Sequence, residues 1–426
     1  MKNIFLVACF TIAGITVRAQ WVEIRNAGTD YLQSLHFITA DTGYASGTCN
    51  GNIYRTQDGG ATWDTAATYY TMDAYTGFAF PSSQTGYACG SNLTFEYHDI
   101  ALKTANGGAA WDTLKVNGSP DPVNYLSVDF VDENNGVFIG RNSFITHDRG
   151  ATFNQLGTPV VADPSYFSFN DIKMLMPEHL IAAVQTYLPE DAGTGRSLFQ
   201  ILSTMDGGTT WSERYTDTSL IERLFFLDHN NGWAFTHKNL LHTTDAGNSW
   251  TKISLEFLPE SYNVQGLQFT DPANGWLVIN AWKAESAVWD GHLYHTGDGG
   301  NTWSLNFTTD NLPITAISML PGGTGYLSTG QKIFKTANGG GTGIGTPLIK
   351  GEYINVYPNP SKGIIQIENK GGPDIKAILV TDLSGRTTGI SGYDNKRIDL
   401  GGTAPGIYLL HIFTEKDRVI KKITLH

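Results

Sequence analysis

Three stretches of the chain set aromatic rings beside carboxylates. They are Glu96-Tyr97-His98-Asp99; Tyr187, Glu190, Asp191 and Arg196; and Trp282, Lys283, Glu285, Trp289 and Asp290. Rings of this kind stack on a sugar face or grip a peptide, with a few polar groups fixing orientation. A pair of these carboxylates could also hydrolyse a glycosidic bond. The plainer reading is that long surface segments cover themselves with their own aromatics. No Gly-x-Ser-x-Gly elbow, phosphate-binding glycine loop or His-Glu-x-x-His pair occurs in the chain. The histidines are scattered, and His292 and His295 would point to opposite faces of one strand. No metal and no cofactor is therefore expected. Asp132, Asn134 and Asn135 imitate a calcium loop but lack its twelve-residue spacing and final Glu, so they read as turn residues.

What positions these groups is an internal repeat. Thr56-Gln57-Asp58-Gly59-Gly60-Ala61-Thr62-Trp63 returns around Asn106, Asp148, Asp206, Asp245, Asp298 and Asn338. Asp or Asn can bond backbone amides a few residues on, glycine supplies positive φ, and Thr or Ser adds a second local bond. These seven positions are read as structural. A second turn precedes most of them, as in Asp41-Thr42-Gly43-Tyr44, Asn230-Asn231-Gly232-Trp233 and Asn274-Gly275-Trp276. Asn-Gly between alternating apolar runs marks a hairpin. Each unit then reads as four antiparallel strands, a to d, and seven such units make a β-propeller.

The seventh repeat stops without its Trp strand. Trp21-Val22-Glu23-Ile24 matches the missing piece, as in Trp250-Thr251-Lys252-Ile253, so the N-terminal strand is expected to close the last blade. Alternation puts the a–b turns and the boxes on one face, and the b–c loops and d–a connections on the other. Blades 2, 4 and 6 carry long b–c segments, at 91–100, 186–197 and 280–291. From them Tyr97, His98, Asp99, Tyr187, Arg196, Trp282, Lys283 and Trp289 are the candidate ligand-binding residues. Cys49 and Cys89 fall on this same face in adjacent blades, which allows a disulfide in an exported protein.

The whole chain has 426 residues, 12% aromatics, 48 glycines and a formal net charge of −12. Few charges and many aromatics and glycines fit an all-β protein and exclude coiled coil or disorder. The acidic balance argues against nucleic acid as a partner. Residues 1–19 have a basic start, an apolar run and a small residue at Ala19, the pattern of a signal peptide cut before Gln20. No other apolar run is long enough for a transmembrane anchor. The propeller is assigned 20–343 and a glycine-rich linker 344–351. Residues 352–426 alternate apolar and polar positions between Asn-Pro, Ser-Gly and Pro-Gly turns, as a small β-sandwich would.

Val356-Tyr357-Pro358-Asn359-Pro360, Val380-Thr381-Asp382-Leu383-Ser384-Gly385-Arg386 and Pro405-Gly406-Ile407-Tyr408-Leu409-Leu410, ending in Lys421-Lys422-Ile423, form a specific set. It closely resembles the type A C-terminal sorting domain of the type IX secretion system. The resemblance implies export across an outer membrane and a partner in that machinery, with the product surface-attached or released. The repeats resemble the Asp-box, or BNR, repeat, above all in photosystem II stability/assembly factor-like proteins, and more distantly in sialidases and xyloglucanases. The Arg-Ile-Pro signature of sialidases is absent, and one propeller cannot form the cleft between two that xyloglucanases of this type use. The sequence thus points to a secreted or cell-surface propeller that binds a glycan or a surface protein without catalysis. A glycoside hydrolase using the loop carboxylates is the alternative.

Overall fold

Each Thr-x-Asp-Gly-Gly repeat closes a tight turn with its own side chains. In the first, Thr56 Oγ1 accepts from the Gly60 amide at 2.9 Å and donates to Asp58 Oδ1 at 2.9 Å. Asp58 Oδ1 also accepts from the Thr62 amide at 2.9 Å, and its Oδ2 takes the Thr62 hydroxyl. The same four bonds recur around Asp148, Asp206, Asp245 and Asp298. Asn106 has only one oxygen to offer, and the matching hydroxyl position is Ala110, so the second bond is dropped on both sides. The turn holds two successive residues at positive φ, such as Gly59 at 71° and Gly60 at 90°. Arg149 and Ala246 occupy the first of these places at φ 64° and 59°, a conformation that costs a non-glycine residue about 1 kcal/mol.

The structure is a computed structural model that describes residues 21–26, 31–47, 51–68, 74–91, 100–115, 125–140, 143–157, 159, 167–188, 196–340, 354–370, 374–382, 392–393, 397–414 and 418–426. The expected signal peptide, the linker and Cys49 lie outside them. The chain divides into two compact units, Met1–Gly345 and Thr346–His426. Among the described residues the first holds seven four-stranded antiparallel sheets, six of them made of consecutive strands. Blade 1 runs from Leu32–Phe37 to Asp64–Thr68, blade 2 from Ala74–Ala79 to Asp112–Leu114 and blade 3 from Tyr125–Phe130 to Asn154–Gln155. Blade 4 runs from Phe167–Met176 to Ser212–Asp217, blade 5 from Ile221–Phe226 to Thr251–Ser254 and blade 6 from Tyr262–Phe269 to Ser304–Thr308. Blade 7 has Ala316–Met319, Gly325–Ser328 and Lys332–Thr336, and its outer strand is Val22–Asn26, with Val22 opposite Lys335 and Asn26 opposite Lys332. The ring closes as the sequence leads one to expect.

Seven separate apolar clusters fill the seams between blades. The Gly that ends the a–b turn in every blade but the fourth matters here. A Cβ on Gly275 would overlap the Phe269 ring, and the same holds for Gly43 with Phe37 and Gly136 with Phe130. That Phe then stacks on the Tyr or Trp of the preceding blade. Phe37 lies 3.3 Å from Tyr326, Phe130 3.6 Å from Tyr87 and Phe269 3.7 Å from Trp233, all within 6° of parallel. In these blades the residue just before the box Thr packs on the same ring: Lys335 on Tyr326, Lys103 on Tyr87 and His242 on Trp233. Five boxes also receive a bond from the previous blade. Tyr44 donates to the Gly107 carbonyl at 2.7 Å, Trp233 to Gly299 at 3.0 Å and Trp276 to Gly339 at 3.2 Å. Lys103 donates to Arg149 at 2.8 Å and Lys335 to Gly59 at 3.2 Å.

The innermost strands leave one backbone edge unpaired toward the axis, an exposure that sheets must manage. Side chains of the preceding blade cover part of it. Asp129 accepts from the Met174 amide at 2.8 Å, Asp171 from Leu224 at 2.9 Å and Ser318 from Phe37 at 2.8 Å. Gln268 bonds both the amide and the carbonyl of Met319.

Hydrogen bonds to the ionised box aspartates make stability pH-dependent. Thr62 holds the Asp58 carboxyl, and Thr210 that of Asp206, down to about 2 from an ordinary 3.8. A depressed carboxylate stabilises the fold above its unfolded value and loses that contribution as pH falls toward its folded value. The melting temperature is expected to be flat from neutral pH to about pH 5 and to fall steeply from about pH 4 to 2. Asp206→Asn should flatten part of that fall in a thermal-unfolding series; a profile unmoved by acid would remove the boxes from this role.

The second unit has two sheets, of four strands and three, around one core that includes Ile354, Ile365, Val380, Ile398, Leu410, Ile412 and Ile423. It is the expected β-sandwich. Asn359 clasps its last strand, donating to the Lys422 carbonyl at 2.8 Å and accepting from the Thr424 amide at 2.9 Å.

Candidate functional site

Residues 280–291 are expected as a loop, but most of them are strand. Gly275–Lys283 and Val288–Thr296 pair up to Lys283 opposite Val288, leaving a four-residue turn, 284–287. Alternation continues because each face of this hairpin has something to pack on. Asn280 clamps the Ile314 backbone through both its amide atoms, at 3.0 and 2.9 Å. The Gly291 amide reaches the Leu312 carbonyl at 3.0 Å, and a Cβ on Gly291 would run into Ile314 and Thr309. On its other edge the Trp282 amide donates to the Ser261 carbonyl at 3.0 Å. The hairpin is thus braced by the connections entering and leaving blade 6.

Trp282 and Trp289 stand directly opposite each other near its end. Their rings lie 5.0 Å apart at 58°, forming an open corner, and Trp282 is 38% exposed. Lys283 Nζ sits between Asp290 at 2.6 Å and Asp310 at 2.8 Å, and these bonds push its pKa up. Asp290 also accepts from the Asn311 amide at 2.8 Å. Two oxygens sharing one nitrogen at such distances are about 5 Å apart or less, close to the spacing of a retaining glycosidase pair. The ammonium fills the space where the glycosidic oxygen or water would lie. This pair is built as a brace.

Of the other candidates, Tyr97, His98 and Asp99 lie outside the described residues. Tyr187 and Arg196 stand on paired strands, opposite Ser197 and Leu188, so the long segment of blade 4 is also a strand extension at its base. Cys89 is fully buried in the second strand of blade 2, within the cluster between blades 2 and 3. Two features escape a reading by turns and loops. Asp310 belongs to a d–a connection and joins the site only through Lys283. The other is an ion ladder between blades 3 and 5, where Lys173 Nζ contacts Asp171 at 3.1 Å with Asp129 close by. Burial pushes the Asp129 carboxyl up; burial of Lys173 is outweighed by Asp171 and Asp129, so its pKa rises. Charged residues inside otherwise apolar inner strands were the available signal. No group of His, Cys, Asp and Glu among the described residues is arranged to hold a metal ion.

Comparison with known proteins bears on both units. Residues 355–426 match the secretion system C-terminal sorting domain. In fold, the chain is similar to Ycf48 from Cyanidioschyzon merolae, with a TM-score of 0.54 at 17% identity, covering 75% of this chain and 98% of that one. The larger unit has the β-propeller fold, and residues 355–426 are similar to a C-terminal sorting domain. The propeller is also similar to a Ycf48 structure with a bound D1 peptide, at TM-score 0.51, 15% identity and 75% and 96% coverage. A GH74 xyloglucanase from Xanthomonas campestris gives a TM-score of 0.53 at 14% identity, over 95% of this chain and 67% of the enzyme. At these identities the likeness is one of fold. Residues 199–311 of the propeller match the family described as sortilin, neurotensin receptor 3. The photosystem II assembly lipoprotein Ycf48 of Synechococcus sp. (strain CC9902) is 34% identical over 115 residues, which is 25% of this chain. The match spans 31% of that relative's length. No helix among the described residues is long and apolar enough to cross a membrane.

Proposed function

We propose that this protein is exported by the type IX secretion machinery through its sorting domain and serves at the cell surface, or after release, as a non-catalytic binding module. Its ligand is a glycan or a surface protein, met at the b–c face. The exposed Trp282–Trp289 corner on the braced hairpin of blade 6 carries this reading. Large rings held rigid before the ligand arrives lose little entropy on binding. The fold accommodates such a role, since one Ycf48 structure holds a D1 peptide. Hydrolysis is disfavoured at this hairpin because Lys283 occupies the gap between its carboxylates.

A glycan array and a pulldown from outer-membrane extract, each probed with the full chain, test the reading. Trp282→Ala and Trp289→Ala should each weaken the captured ligand at least about tenfold, about 1.4 kcal/mol, at unchanged melting temperature. Full affinity in the folded variants would place the site elsewhere. Turnover of a bound glycan would overturn the non-catalytic reading.

A further inference from the structure

Three lysines of this face are already spent. Strand c of blades 5, 6 and 7 starts at the b–c face, and a lysine stands at or beside each start: Lys238, Lys283 and Lys332. Each one is ion-paired. Lys238 meets Glu260 at 2.6 Å, Lys283 meets Asp290 and Asp310 at 2.6 and 2.8 Å, and Lys332 meets Glu23 at 2.8 Å. Asp290 is buried, but Glu260 and Asp310 are more exposed than the lysines they meet, at 93% and 81%, and Glu285 is exposed on the turn itself. Ser261, whose carbonyl holds the Trp282 amide, follows Glu260 directly, so this negative rim borders the tryptophan corner. A uronate, sulfate or phosphate group approaching the two rings would meet carboxylates and find the nearby ammonium groups occupied. The amides that stand near the hairpin on the innermost strand, Asn263 and Gln265, offer neutral donors and acceptors instead.

Resting on the binding role proposed above, we infer that the blade 6 corner takes a neutral polysaccharide, stacked on Trp282 and Trp289, and rejects anionic ones. Stacking and neutral hydrogen bonds are little affected by salt, whereas repulsion between exposed charges is screened by it.

The test measures binding of the full chain to soluble neutral polysaccharides (a xyloglucan, a mannan and a β-glucan) and to anionic ones (a polygalacturonate and a chondroitin sulfate), at low and high salt. At least one neutral chain should bind with an affinity unchanged by salt and lowered at least about tenfold by Trp282→Ala or Trp289→Ala. Anionic chains should bind at least about tenfold more weakly at low salt, the gap narrowing as salt rises. Glu260→Gln, which releases Lys238, should narrow that gap at low salt while leaving neutral binding unchanged. Tighter binding of an anionic chain overturns the inference and leaves the binding role standing. So does capture of a protein through the same tryptophans with no polysaccharide bound. Hydrolysis of a bound polysaccharide, or binding indifferent to both tryptophans, overturns the parent reading with it.

Discussion

Deleting residues 21–26 should abolish the cooperative unfolding of the propeller or lower its melting temperature by more than about 10 °C. Three losses combine. Trp21, 6% exposed, leaves a cluster with Trp276, Val278, Leu293, Ile314, Met319 and Leu327, and the Trp→Ala part alone costs about 3–5 kcal/mol. Its indole also donates to Asn306 at 2.8 Å, a bond that ties blade 7 to blade 6. The strand itself pairs with Lys332–Lys335, and its removal leaves that edge open to water and to other chains. Against a total stability of about 5–15 kcal/mol such a loss is decisive. Thermal unfolding of the deleted chain beside Trp21→Ala checks it: the point variant should fall part of the way. An unchanged melting temperature in the deletion would mean that the ring does not depend on this closure.

Lys173→Met should cost about 3–5 kcal/mol, because it leaves Asp129 and Asp171 facing each other without a cation. Both carboxylates are committed to backbone amides of the next blade, so neither can turn away. The seams concerned lack the aromatic donors found elsewhere: Val137 and Ile181 stand where the other blades have Tyr or Trp. The penalty should shrink on acidification. Asp129 has a raised pKa in the folded state, so lowering the pH through that value protonates the folded protein more readily than the unfolded one and stabilises it. Adding Asp129→Asn and Asp171→Asn to Lys173→Met should restore most of the stability, since an amide oxygen still accepts both backbone bonds. A single variant that melts within about 2 °C of the parent would show that the ladder is dispensable.

The repeat was legible because each box carries its whole turn within eight residues, and local hydrogen bonding leaves a fixed pattern. Closure by Trp21 was legible for the same reason: a missing piece in a repeat has a known shape. The hairpin of blade 6 was misjudged as a loop because strand length is set by what braces it. Asn280, Gly291 and Ile314 meet only in three dimensions. Equal alternating runs on either side of Glu285-Ser286 were the sequence signal for the hairpin. Lys283 was legible as a ligand candidate and turns out to be committed to two carboxylates, one of them 27 residues further along the chain, at Asp310. The aromatic stacks across the seams were hidden in plain repetition, in the basic residue before five of the seven box threonines, at Arg55, Lys103, His242, His295 and Lys335. A single unit gives no reason for that residue. It backs a ring of its own blade whose other face stacks on the next.

The pairing of Val22–Asn26 with Lys332–Thr336 also has a meaning in time. Glu23 and Lys332 meet across 309 positions of chain, so the strand Val22–Asn26 waits for a partner made after the other six blades. Contacts this remote in sequence form slowly, because a long loop must close before any of the gain is realised. Six blades can assemble from neighbours in order, while the seventh stays open with Lys332–Thr336 as a bare edge. Closure of the ring is in this sense its last step, taken only when the most distant pair of strands has met.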